Sequence, residues 1–115
     1  MINKNAANVG TGLVSSVSKD VVKLQLVIDE EDEFIKDVVY KVFGSYETHK
    51  SVERLPTLLI GLSFGDIAEI TAEDISNDSD IGELVLSAIH AAVHTYIRKK
   101  VESDINIEPQ PEKYQ

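Results

Sequence analysis

Cysteine is missing altogether from this 115-residue chain. Without it there can be no disulfide, no thiolate metal site and no nucleophilic thiol. Tryptophan is absent too, and aromatic residues make up only 6%, so the core has to be aliphatic, built mainly from Val, Ile and Leu. Cations are scarce: 11 Lys and Arg stand against 20 Asp and Glu, for a formal net charge of −9. Such a surface repels phosphate backbones and anionic headgroups, which excludes nucleic acid and membrane surfaces as partners and favours a basic patch on a protein. No apolar run is long enough to span a bilayer, and the opening MINKNAANVGTG lacks the apolar core of a secretory signal. The expectation is a cytoplasmic protein, or one of an organellar matrix if a leader was trimmed.

What is present is a globular mixture of 43% hydrophobic and 27% charged residues, in a length suited to one domain. Residues 1–11 are polar and read as a flexible arm, with the domain expected over 12–101. An edge strand is expected from Leu13 to Ser18. In 20–28, Val22, Leu24, Leu26 and Ile28 alternate with Lys23 and Gln25, the period of a half-buried strand. The five acids Asp29 to Glu33 read as a solvated hairpin turn, because the ligand spacing of an EF-hand is missing. The return strand covers 34–43, with Val38, Tyr40 and Val42 on one face. Beyond Gly44 the period becomes helical through Thr48, Val52, Leu55 and Leu59, interrupted at Pro56. Ser63 with Asp66, and Thr71 with Asp74, are spaced as capping boxes for two short helical turns. Ser76, Asn77 and Asp78 offer N-caps for a last helix of roughly six turns, whose apolar stripe runs from Ile81 to Tyr96. From Glu102 the tail 102–115 has little to bury and is expected to be disordered. The sum is an α+β fold: a three-stranded antiparallel sheet with helices packed on one face and a long C-terminal helix.

Few residues could carry chemistry. His90 and His94 are spaced to grip a metal from one helix face, but that face also carries Glu83, Ser87 and Arg98 and lies opposite the apolar stripe, so two exposed histidines explain it. His49 has no nucleophile near it in sequence. There is no nucleophile elbow, no phosphate-binding loop and no dinucleotide fingerprint. No catalytic constellation emerges, and the chain is not expected to be an enzyme.

NVGTGLV at 8–14, followed by DVVKLQL at 20–26, resembles the start of the NifU/IscU-type iron–sulfur cluster assembly scaffolds. VYKVFG at 39–44, Gly61 with Ser63, EITAEDI at 69–75 and AIHAAVHTY at 88–96 resemble later family segments, in the same order. The resemblance runs from residue 8 to about residue 100 and implies the same α+β fold. It also implies an iron–sulfur cluster or zinc held by three Cys and an Asp or His, since soft thiolates suit those metals. The departures fall on that site. Ser18 and Ser45 stand at two of the Cys positions, followed by Lys19 and Tyr46 where the family has Gly. The stretch carrying the third Cys, its adjacent His and a chaperone-recognition motif is missing. Of the ligand set only Asp20 remains.

The resemblance therefore implies a cysteine-less member that holds no cluster or metal and carries no cofactor, with Ser18, Asp20 and Ser45 as vestigial cluster-site positions. Its role would be that of a binding or regulatory module toward the assembly machinery, with a cysteine desulfurase or another assembly component as partner. A homo-oligomer remains open. One alternative is a weak iron-binding scaffold using Asp20 with His49 or partner-supplied ligands; another is an enzyme on a recycled fold.

Overall fold

A computed structural model describes residues 6–105. The element order is β1 (Val9–Ser15), β2 (Val21–Asp29), β3 (Phe34–Phe43), α1 (Tyr46–Glu53), α2 (Leu55–Leu59), α3 (Phe64–Ala68), α4 (Ala72–Ile75) and α5 (Ser79–Ile105). The strands form one antiparallel sheet in the order β1-β2-β3. Val22, Leu24, Leu26 and Ile28 are all buried against the helices, so the inward face is the one the sequence marked.

β3 does not alternate evenly. Val27 opposes Asp37 while Ile28 opposes Ile35, which leaves Lys36 as an extra, bulged residue. The bulge lets Ile35 and Val38, three apart, both turn into the core. Tyr40 and Val42 pair with Leu24 and Val22 and share their face, but Tyr40 sits at the sheet edge and stays 39% exposed.

The helices begin where local chemistry starts them. Ser45 Oγ accepts from Thr48 N–H to cap α1, and Pro56 falls in the first turn of α2, where its missing N–H costs nothing. Ser63 and Asp66 satisfy each other's backbone N–H at α3. At α4 the Thr71 N–H donates to Asp74 Oδ2. Asp78 Oδ1 accepts from the Asp80 and Ile81 amides and opens α5. The buried side of α5, through Val85, Ala88, Ile89, Ala92 and Tyr96, completes an aliphatic core with Val52, Leu55, Leu59, Ile67 and Ile75.

Two expected boundaries are corrected. The first strand starts at Val9 rather than Leu13 and ends at Ser15 rather than Ser18, so Val9 to Thr11 belong to the sheet and not to an arm; Val9 is only 2% exposed. The reason is steric. Gly10 and Gly12 face α5, and a Cβ on either would fall 2.0 Å from Ala92 O or 2.3 Å from Ala88 O. Strand and helix meet backbone to backbone, a contact that leaves no apolar side-chain pattern to read. Lys99 Nζ donates to Ala6 O and Val9 O, fastening the start of β1. The second correction is at the other end, where α5 runs on through 102–105 instead of stopping at 101. Glu102 and Asp104 lie four residues after Arg98 and Lys100, a spacing that supports helix even with little to bury. The remainder of the expected arm and tail, 1–5 and 106–115, lies outside the described residues.

The acidic segment forms the turn between β2 and β3. Asp29 Oδ1 accepts from the Glu31 and Asp32 amides, and Glu33 takes a left-handed φ of 56°. Glu30 accepts from Tyr96 Oη and Glu33 from Lys100 Nζ, which ties the turn to α5.

Candidate functional site

Three separate stretches of chain meet at one end of the sheet. The β1–β2 turn is closed by Ser16 N–H to Asp20 O in one direction and Asp20 N–H to Ser16 Oγ in the other, with Lys19 at a φ of 71°. The turn delivers Ser18 and Asp20. β3 ends at Phe43, Gly44 follows at a φ of 143°, and Ser45 caps α1. The Asp78 cap then brings in the first turns of α5.

Both carboxylate oxygens of Asp20 accept a hydrogen bond there. Its Oδ1 accepts from Ser45 N–H at 2.8 Å, and its Oδ2 accepts from Thr48 Oγ1 at 3.1 Å. Ser45 Oγ lies 3.0 Å from Thr48 Oγ1. Residue 44 has to be glycine for this: a Cβ there would sit 1.9 Å from Asp20 Oδ1, at a backbone angle that other residues avoid. Thr48 is buried, so its hydroxyl needs the carboxylate as much as the carboxylate uses the hydroxyl.

Around this network opens a groove of about 670 Å³. Its lining includes all three positions singled out in the sequence, Ser18, Asp20 and Ser45. With them come the carboxylates of Glu47, Asp78, Asp80 and Glu83, the hydroxyls of Ser16 and Ser87, and an apolar part formed by Val17, Ile81 and Leu84. No Lys, Arg or His lines it. The groove can offer oxygen donors, negative potential and a modest apolar contact; it offers no soft ligand.

The histidines stay apart. His49 is exposed on α1 and is not part of the groove; His90 and His94 are exposed on α5. Among the described residues no group of three or more His, Asp or Glu is placed to hold a metal ion. Reading the sequence missed Thr48 as a polar partner, because its spacing to Val52 fits an apolar stripe. The Ser45–Thr48 interval, a hydroxyl three residues before another just after Gly44, was the available signal. It also missed Asp78, Asp80 and Glu83, which only the tertiary fold brings beside Asp20.

The domain is a three-stranded meander backed by one long helix, with a groove where a hairpin turn and two helix starts converge. The chain belongs to the family described as NifU-like N terminal domain, whose profile matches residues 1–103. It is 32% identical over 107 residues to "Iron sulfur cluster assembly protein 1, mitochondrial" of Kluyveromyces lactis, covering 86% of this chain and 59% of that protein. It is 29% identical to "Iron sulfur cluster assembly protein 2, mitochondrial" of Saccharomyces cerevisiae, over 86% of this chain and 69% of the relative. To "Iron-sulfur cluster assembly scaffold protein IscU" of Rickettsia prowazekii it is 32% identical, over 86% of this chain and 81% of the relative. The chain thus spans about three-fifths of the length of the Kluyveromyces relative. Among the described residues no helix is long and apolar enough to cross a membrane.

Proposed function

We propose that this protein keeps the shape of an iron–sulfur assembly scaffold and uses it to dock a component of the assembly machinery, a cysteine desulfurase or another scaffold, without holding a cluster itself. The observation that carries this reading is the condition of Asp20. Both of its oxygens are committed to the backbone and side chain of the α1 cap, so the one retained family ligand serves as a structural bracket. The neighbouring donors are hydroxyls, which stay protonated near neutral pH and are hard, whereas iron and sulfide-bearing clusters favour soft, charged thiolates. The donor set does not fit that cargo, and no transfer step is assigned to it. Weak iron binding through Asp20 and partner-supplied ligands would have to share oxygens that already accept from Ser45 and from buried Thr48.

Docking is supported by an open groove whose titratable lining is all acidic, a match for a basic patch on a protein. The relatives named as assembly and scaffold proteins support a non-catalytic role, and those named mitochondrial support an organellar matrix over the cytoplasm. The test has two arms. Anaerobic incubation of the isolated protein with ferrous iron and sulfide is expected to leave it colourless. Titration with a purified cysteine desulfurase or a cysteine-bearing scaffold is expected to give a saturable complex, weakened by Asp80→Lys with Glu83→Lys. A stable coloured cluster would overturn the first half of the reading, and failure to bind either protein would overturn the second.

A further inference from the structure

The face of the sheet turned away from the helices has a different chemistry from the groove. Lys23 of β2 and Lys41 of β3 stand directly opposite one another on it. Like charges in that arrangement repel, and no salt bridge among the described residues relieves them. In a chain with 20 acidic residues, this pair is a local reversal of sign. Beside the lysines lies a shallow depression of about 210 Å³, lined by Lys23, Gln25, Val39, Tyr40 and Lys41. Val39 and Phe43, two residues either side of Lys41 on the same face, are 38% and 63% exposed.

The backbone beside this patch is open as well. Ile28 N–H donates toward the β1 side, to Asn8 O. Ladder alternation then points Lys23 and Gln25 at β3, and their partners Lys41 and Val39 back at β2. Val38, Tyr40 and Val42 are left facing the outer edge. The lower edge is guarded: Ile35 exchanges hydrogen bonds with Leu62 O and Gly61 N–H, and Val38 N–H is taken by Asp37 Oδ1. Among the described residues, none outside the sheet hydrogen-bonds to the edge amides and carbonyls of Tyr40 and Val42.

We propose that the open half of β3 accepts an extended acidic segment of a protein partner as an added strand, whose carboxylate lies over Lys41 and Lys23. Main-chain hydrogen bonds to Tyr40 and Val42 supply affinity, and alternate side chains supply choice. The residue opposite Lys41 is Asp or Glu, and those two positions either side of it are apolar, meeting Val39 and Phe43. The carboxylate also removes the repulsion between the two lysines. This surface is separate from the acidic groove and selects a partner of opposite charge, so one domain can hold a basic patch and an acidic strand at once.

The test uses the isotope-labelled full chain and a blocked nine-residue peptide with one central Glu, Val at two residues on either side, and Ser and Thr elsewhere. Binding is expected to shift the amides of Lys23 and of 39–43 and to slow hydrogen exchange at Tyr40 and Val42. Lys23→Glu with Lys41→Glu, both surface changes, is expected to weaken binding at least tenfold, and a peptide with Lys in place of Glu is expected to recover it. Shifts confined to the groove, unchanged affinity in the double variant, or no binding at millimolar peptide would each overturn the proposal. So would protection of the same amides by self-association at high protein concentration without peptide, since the occupant would then be a second copy. None of these outcomes bears on desulfurase binding at the groove.

Discussion

Gly12→Ala adds one methyl group at the point where β1 and α5 meet, and the geometry fixes its consequence. The new Cβ would stand 2.3 Å from Ala88 O, 2.9 Å from Ala92 N and 3.1 Å from Ala91 Cβ. Ordinary contact begins near 3.4 Å, so strand and helix must separate by roughly 1 Å. The opposing atoms are mostly main chain in the middle of a long helix, which cannot swing aside as a side-chain tip can. Overpacking of this kind costs about 1–3 kcal/mol, and a rigid backbone on both sides puts it near the upper end. Replacing a strand glycine returns about 0.5–1 kcal/mol through lower unfolded-state entropy, leaving a net loss of about 2 kcal/mol. At about 4 °C per kcal/mol for a domain of this size, Tm should fall by about 8 °C in a calorimetric scan. Gly65→Ala is the internal control. The site lies in α3 with nothing nearer than Ser63 Oγ at 3.8 Å, so the same chemical change should raise stability by about 0.5–1 kcal/mol. If Gly12→Ala unfolds within about 0.5 kcal/mol of the parent, the close approach of β1 to α5 is wrong, and so is the explanation of why the chain has glycine there.

Two further outcomes follow from contacts already described. Asp20→Ala should destabilise the fold by about 1–2 kcal/mol in urea unfolding, since the Ser45 amide loses its acceptor and the buried Thr48 hydroxyl keeps only Ser45 Oγ, and Thr48→Val in the same background should restore part of the loss. Tyr96 has its pKa raised above 10.0, by burial first and by Glu30 in addition, with Lys100 opposing. Its folded value exceeds its unfolded value, so its share of stability is complete below about pH 10 and is lost as pH rises through the raised value. Denaturant midpoints should therefore fall on the alkaline side of pH 10, and Tyr96→Phe should flatten that decline.

Much of the fold was legible because one face of each element has a clear partner. β2 alternates cleanly because it is central, with helices on one side and solvent on the other, and its bounds were placed within one residue. The caps at Ser63–Asp66, Thr71–Asp74 and Asp78 are local hydrogen bonds between residues near in sequence, so spacing alone announces them. β1 was misplaced for the converse reason. Two of its inward residues are Gly10 and Gly12, which leave only Val14 as a hydrophobic signal on that face, and the need for them is set by Ala88 and Ala92, 76 to 82 positions away. The bulge at Lys36 was invisible because one inserted residue breaks a period that is only two residues long. Ser18, Asp20 and Ser45 were brought to attention by resemblance, and the fold gathers them into one groove. The acids of α5 that surround them could not be placed there without knowing how the helix lies on the sheet.

The bond from the Lys99 ammonium to the carbonyls of Ala6 and Val9 joins residues some ninety positions apart, and Thr95 Oγ1, 2.9 Å from Thr11 O, repeats the link one turn earlier. β1 pairs with β2 across a short turn, but its contacts with α5 join residues more than eighty positions apart. Closure of such distant contacts is slow compared with hairpin formation. The groove, which needs both the β1–β2 turn and the start of α5, therefore exists only once the hairpin and that helix have met.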